Sequence, residues 1–435
     1  MALGGGTFLV NDKVLPGTYV NVVSKSSAVS SSSVSGVVAM PLVLDWGIEN
    51  EIFTVTNEDF FNNSIKIFGY SYDHEKMTCL RDLFKNAKTL HAYRLGSSHI
   101  KASSTYATAR YSGKRGNAVK LSVSVNINNT SLKDVYVYLD NILVDKQTVT
   151  DASKLIDNEF VVFNKESSLA DTAGTALTGG GNGIVDANEY IKFLNLIEAY
   201  SFNILTANTE NAGINSLIVS FTKRMRDEYG VKFQSLVYNT SANYEGAISF
   251  NNAVSHANFS PSALCYWLSG ALAACSVNSS VLNKRYDGEF DFSYEAAASE
   301  LKKNIENGFL VLHRTGNKFA ILADINTLTE TDASKGDDFK NNQTIRILDY
   351  LSNSVASIFN NIYLGNVPNN EAGRISLWSD VVAVHKNLLN LGALESFVPD
   401  SVKVEKGADK GSVVITSTVM PVNAMSKLYA TIIIV

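Results

Sequence analysis

The sequence predicts a multi-domain chain of mixed α+β and α/β class, and three of its features carry that expectation. A β-α-β pattern occupies the stretch up to about residue 95. A helix-free stretch of alternating strands follows, to about residue 175. Strands then alternate with helices again, ahead of two long helices and a β-rich end. At 435 residues the chain exceeds one ordinary core, so about two to four domains are expected. A hydrophobic content of 45% against 18% charged residues belongs to a folded globular protein.

The elements follow in order. Residues 36–44 (GVVAMPLVL) form a nearly continuous apolar run, as in a strand buried on both faces. Met77, Leu80, Leu83, Phe84 and Ala87 recur at helical spacing after the charged 73–76, and 89–95 returns as a strand. Residues 97–112, rich in Ser, Thr, Ala and Tyr, read as a linker. The alternating 119–127 is a strand, and 135–139 with 142–144 forms a hairpin about an Asp140-Asn141 turn. Residues 159–163 add one more strand, which completes a small all-β insert.

Asp186 is placed to cap a helix starting at Ala187, with Glu189 in its first turn. A strand at 202–205, a helix at 214–229 and strands at 231–238 and 247–250 follow. The group Lys223-Arg224-Met225-Arg226 reads as the solvated face of that helix. Ser260-Pro261 opens an apolar helix through Cys275. Residues 292–307 are amphipathic, with Gly308 just beyond. Residues 309–314 and 318–325 read as a hairpin. After the charged loop 332–338 come helices at about 339–363 and 375–391, then strands at 401–406 and 412–420. No repeat of fixed period is visible.

The residues give catalysis no support, and neither a cofactor nor a metal is expected. His74, His91, His99, His256, His313 and His385 are dispersed, without H-E-x-x-H or H-x-H pairing. There is no G-x-S-x-G elbow. Cys79, Cys265 and Cys275 are odd in number and lack C-x-x-C spacing, which points away from a disulfide framework and towards folding in a reducing cytoplasm. The glycine-rich 177–183 (LTGGGNG) precedes a helix and so offers amides to a phosphate. It lacks the Lys-Ser/Thr of a P-loop, G-x-G-x-x-G spacing and a preceding strand, and its other reading is a flexible entry to the helix. A formal net charge of −5 with scattered Lys and Arg gives no reason to expect nucleic acid. No basic and apolar leader is visible, and no apolar run reaches the roughly 20 residues of a membrane span.

The terminal stretches are the most telling. Leu428, Tyr429, Ala430, Thr431, Ile432, Ile433, Ile434 and Val435 make an uncharged, largely β-branched strand whose backbone groups need partners. Thr7, Phe8, Leu9 and Val10 form a second such strand behind a Gly4-Gly5-Gly6 leash. Either run can close a sheet within its own chain or add to the sheet of another copy. The glycine leash favours exchange, because a strand packed only at home needs no spacer.

Taken together, VLPGTYVNVVSK (14–25), GVVAMPLVLDWG (36–47), SIKIFGYSYDHEKMTCLRDLFKNAKTLHAYRL (64–95), ARYSGKRGN (109–117), LTGGGNG (177–183), GALAACSVNSSVLNKRYDGE (270–289) and GFLVLHRTGN (308–317) closely resemble the contractile tail sheath proteins of phages and R-type bacteriocins. The resemblance covers essentially the whole chain, in order. It implies a core α/β domain formed by both chain ends, with β-sandwich-like and α/β domains inserted. The division would be an N-terminal arm at 1–25, core at 26–96, an inserted all-β domain at 97–175, an inserted α/β domain at 176–330, core again at 331–426, and a C-terminal strand arm at 427–435. It further implies a structural subunit, not an enzyme, that forms hexameric rings stacked helically around a tail tube. Neighbouring subunits would be linked by exchanged strands at Thr7 to Val10 and Leu428 to Val435, and contraction would drive the tube through a target envelope.

The implied partners are further copies of the chain, the tail tube protein, and baseplate and tail terminator proteins. The implied setting is a virion tail or phage-tail-like particle assembled in the bacterial cytoplasm. Tube contact is expected on the core domain, with the helix carrying Arg374 and Lys386 as candidate. Two other readings are a multi-domain surface adhesin, disfavoured by the missing leader, and a nucleotide-binding enzyme using the glycine-rich loop.

Overall fold

The computed structural model describes residues 35–292 and 296–434, so Thr7, Phe8, Leu9, Val10 and Val435 lie outside the described residues. The chain divides into two compact units. One takes residues 40–81 and 90–198; the other takes the segment ending at Ala39, residues 82–89 and everything from Ala199 onward.

In chain order the elements begin with β1 (Val37–Leu42), β2 (Ile52–Thr56), α1 (Asn57–Phe68), α2 (Thr78–Phe84) and β3 (Thr89–Arg94). Strands β4 (Ala107–Ala109), β5 (Val119–Val125), β6 (Lys133–Leu139), β7 (Ile142–Val149), β8 (Val161–Phe163) and β9 (Thr172–Ala176) lead to α3 (Ala187–Ile197). β1 is buried at every residue, as its unbroken apolar run requires.

Helix α1 is absent from the sequence reading. It starts at a capping box: Thr56 Oγ1 accepts from Asp59 N at 3.1 Å, and Asp59 Oδ2 accepts from Thr56 N at 3.2 Å. It ends at Gly69, whose φ of +77° is the left-handed turn that stops a helix.

The β insert is a four-stranded antiparallel sheet, order β7-β6-β5-β9, with the two-stranded β4-β8. Its core gathers Val119, Leu121 and Val123 from β5, Val135, Val137 and Leu139 from β6, and Trp46, Phe160, Phe163 and Leu177. The expected hairpin is present: Asp140 and Asn141 take φ values of 49° and 67°, the left-handed pair that matches strand twist in a two-residue turn. Residues 97–112 are not a linker. Ser97, Ile100 and Ser103 bridge antiparallel to Ile184, Gly181 and Thr178, so this stretch packs as part of the insert.

The second unit continues with β10 (Ile204–Thr206), α4 (Ala212–Lys223), β11 (Gln234–Tyr238), β12 (Ala247–Phe250), α5 (Cys265–Ala274), α6 (Ala298–Glu306), β13 (Phe309–Leu310), β14 (Leu312–Thr315) and β15 (Lys318–Ile321). It closes with α7 (Asn342–Ile358), α8 (Glu371–Asn390), β16 (Val402–Lys406) and β17 (Val413–Ser417). Strands β13, β12, β11, β10 and the start of β1 lie side by side in that order, all parallel. Residues Cys265 to Ala273 of α5 are all buried, as an all-round apolar helix must be.

The predicted 309–314 strand splits. Its first two residues extend the parallel sheet as β13, and only the rest pairs with β15. The amphipathic 292–307 yields the shorter α6, which has no buried residue.

The reading of 223–226 as a solvated face holds for Lys223, which is exposed, and in part for Arg224, but is corrected at Met225 and Arg226. α4 ends in a π turn, Arg224–Glu228, which rotates Met225 and Arg226 inward. The Arg226 guanidinium then makes a two-pronged bond to Asp349 on α7, at 2.6 and 2.8 Å. Sequence spacing assumes a regular helix, and the extra residue in the π turn shifts which side chains face the core.

The terminal run 427–435 is likewise no strand within this chain: among its described residues none is assigned to a strand. A strand exists only with a ladder partner, and this segment has none among the described residues.

Candidate functional site

The body's hold on the last stretch of sequence stops at a definite point. Pro421 bridges to Leu394, Val422 N donates to Ala393 O at 2.9 Å, Thr344 Oγ1 donates to Asn423 Oδ1, and Ala424 N donates to Gln343 Oε1 at 2.9 Å. From Met425 to Ile434 the chain has no hydrogen bond among the described residues. Leu428, Tyr429, Ile432, Ile433 and Ile434 are 80–94% exposed. Ala430 and Thr431 are exposed as well. Ten residues, the last seven of them strand-forming sequence (Leu428 to Ile434), thus stand off the body with backbone donors and acceptors free, a ready template for pairing.

Beside the point of departure lies the β16-β17 hairpin, a two-stranded antiparallel sheet running from Val402↔Ser417 to Lys406↔Val413. It packs on α8, whose inward face is Leu377, Val381, Val382, His385 and Leu388. Trp378 Nε1 donates to Val402 O at 3.0 Å, and His385 Nε2 lies 3.0 Å from Ser417 Oγ. Sequence reasoning weighed His385 only as one of six dispersed histidines and did not single out Trp378. The available signal was their spacing of seven, which puts them on one face of a helix.

Arg374 and Lys386 both lie on α8, but the helix does not bring them together. Twelve residues apart, they are separated by roughly 18 Å along the axis and about 120° around it. Arg374 is half-buried and donates from Nη1 to Asn369 Oδ1 at 3.0 Å, while Lys386 is exposed.

The glycine-rich 177–183 is neither a phosphate cradle nor a flexible entry. Gly180 N donates to Asn117 Oδ1 at 2.9 Å, Gly181 N to Ile100 O at 3.0 Å, and Gly183 N to His99 Nδ1 at 2.8 Å. The amides a phosphate would need are bonded inside the β insert. The glycines permit close backbone approach: a Cβ on Gly180 would sit 2.5 Å from Gly113 O, and one on Gly183 would overlap Ser97 O. Beyond the loop, Asp186 caps α3 as expected, accepting from Asn188 N and Glu189 N. Among the described residues no group of three or more His, Cys, Asp or Glu is placed to hold a metal ion, and no helix is long and apolar enough to cross a membrane.

Comparison with known proteins identifies the family. Sequence models of four tail sheath domains match in order: the Gp18 domain III N-terminal region over 35–95, the phage tail sheath β-sandwich domain over 88–182, the central domain over 183–327 and the C-terminal domain over 334–434. The crystal structure of the sheath tail protein from Desulfitobacterium hafniense is 30% identical, with a TM-score of 0.82 over 95% of this chain and 99% of that one. The chain therefore belongs to the phage tail sheath protein family, as its sequence motifs led us to expect. The phage-like element PBSX protein XkdK of Bacillus subtilis is 27% identical over 98% of this chain and 99% of its own length. The contracted PVC sheath of an extracellular contractile injection system shares the fold, with a TM-score of 0.58 at 10% identity over 98% of both chains.

Proposed function

We propose that this protein is the repeating subunit of a contractile tail sheath. In this reading it forms hexameric rings stacked around a tail tube and contracts to drive the tube through a target envelope. The observation that carries the reading is the unpaired, apolar segment from Leu428 onward. Exposed strand-forming sequence of this kind is an aggregation hazard unless another chain covers it, and a sheath supplies that chain as the next copy.

The acceptor we favour is the β16-β17 hairpin of a neighbour. Two strands alone are marginal, and added strands would complete a stable sheet. Leu428 to Val435 would supply one and Thr7 to Val10 another. Ladder bonds between backbones give a joint that bends without losing its connection, and leashes on either side act as hinges during contraction.

The all-β insert at 97–175, and the core together with the α/β insert at 176–330, which share the parallel sheet through β1 and β10, would then move as bodies carried by this mesh. The family models fall in the same order along the chain, which supports that division. Lys386, exposed on α8, is the better of the two candidate tube contacts, since Arg374 is already bonded to Asn369. The tube, baseplate and tail terminator proteins complete the partner set, with assembly in the bacterial cytoplasm.

Negative-stain microscopy of the purified protein tests the reading. Hollow striped cylinders are expected, and a protein that stays monomeric at high concentration and in precipitating salt contradicts it. Lys386→Glu should leave such cylinders intact while lowering their co-assembly with tubes, measured by co-sedimentation.

A further inference from the structure

The rung Val402↔Ser417 sits where the β16-β17 hairpin meets α8, and α8 grips each side of it once. Trp378 takes the backbone of β16 through Val402 O, and His385 takes the side chain of β17 through Ser417 Oγ. His385 and Ser417 are both fully buried, and the imidazole stacks on Phe397 at 4.5 Å with planes 7° apart.

The tautomer follows from the contacts. His385 Nδ1 lies 3.0 Å from Val381 O, and a carbonyl only accepts, so Nδ1 carries the proton. Nε2 is then a lone pair accepting from the Ser417 hydroxyl. A second proton on the ring would reverse that bond and place a charge where no opposite charge stands.

The charged groups of the surrounding elements are committed elsewhere. Lys386 on α8, Glu395 beside Phe397, and Lys403, Glu405 and Lys406 on β16 are exposed. Asp380 on α8 accepts from Tyr363. Arg346 and Asp349 on α7 pair with Asp324 and Arg226.

We propose that Trp378 and His385 are positioning residues that clamp the hairpin to α8, and that His385 makes this clamp acid-sensitive. Burial, partly offset by the bond to Val381 O, pushes the His385 pKa down to about 4. The undocked ring returns to its ordinary value of roughly 6.5. The folded-state value is the lower one, so the released form binds more protons between them. Docking is therefore complete above about pH 6.5 and is lost as pH falls towards 4, by on the order of a hundredfold in the equilibrium constant. Only the consequence for assembly, that acid loosens the joints between subunits, rests on the strand-exchange reading.

Hydrogen exchange on the full-length free subunit, corrected for intrinsic rates, tests the clamp apart from that reading. Between pH 7 and 4.5 the amides of β16 and β17 should lose protection while those of β11 and β12 keep theirs. In His385→Gln the hairpin's loss should move to lower pH. Hairpin protection that is flat with pH, or that falls identically in the variant, overturns the proposal. If His385→Gln does not fold, the wild-type His385 ring titrated by NMR decides instead: a midpoint well below 6 supports the clamp, and an ordinary one overturns it.

Discussion

Arg226 shows what a buried charge demands of its surroundings. Its guanidinium is nearly inaccessible, and Asp349 neutralises it through two parallel bonds while Lys232 Nζ donates to its backbone carbonyl at 2.6 Å. Removing one partner strands the other in the interior. Arg226→Met should therefore cost about 3–5 kcal/mol in urea unfolding, and Arg226→Met with Asp349→Leu should recover much of the loss. The sequence held the basic residues but not the π turn that buries one of them, because that turn is chosen by packing against α7. The glycines of 177–183 follow the same logic. Their run was plain to read, whereas its purpose depends on where residues 97–113 return in space. Gly180→Ala should cost about 1–3 kcal/mol, measured by thermal or urea unfolding, because Gly113 O cannot easily give way.

At the scale of elements, what could be read depended on how local the cause was. The β6-β7 hairpin was legible because Asp140-Asn141 fixes its turn by itself, and α5 because apolar residues on every side leave burial as the main solution. Helix α1 was missed because Asn57, Asn62, Asn63 and Ser64 lower its helix propensity, while its box and its stop at Gly69 each sit in two or three residues. Thr56→Ala should lower stability by about 1 kcal/mol, visible as a shift in urea midpoint at unchanged slope. The spacing of Trp378 and His385 put them on one helix face, but what they hold was not legible, since they acquire meaning only against Val402 and Ser417, some 24 and 32 residues away.

For the whole molecule, the governing fact is that a folded body leaves Met425 to Ile434 unbonded among the described residues, beside a hairpin of only two strands. The class of the fold and its family could be read from the chain. The fate of the terminal segment could not, because a strand is defined by a partner that a single sequence does not contain. Everything proposed about assembly turns on whether that partner is another copy. Truncation before Leu428, followed by microscopy and circular dichroism, tests this most directly. The account predicts a folded, soluble subunit with an unchanged unfolding midpoint and no cylinders under conditions where the full chain forms them. Cylinders of normal length from the truncated chain would contradict it.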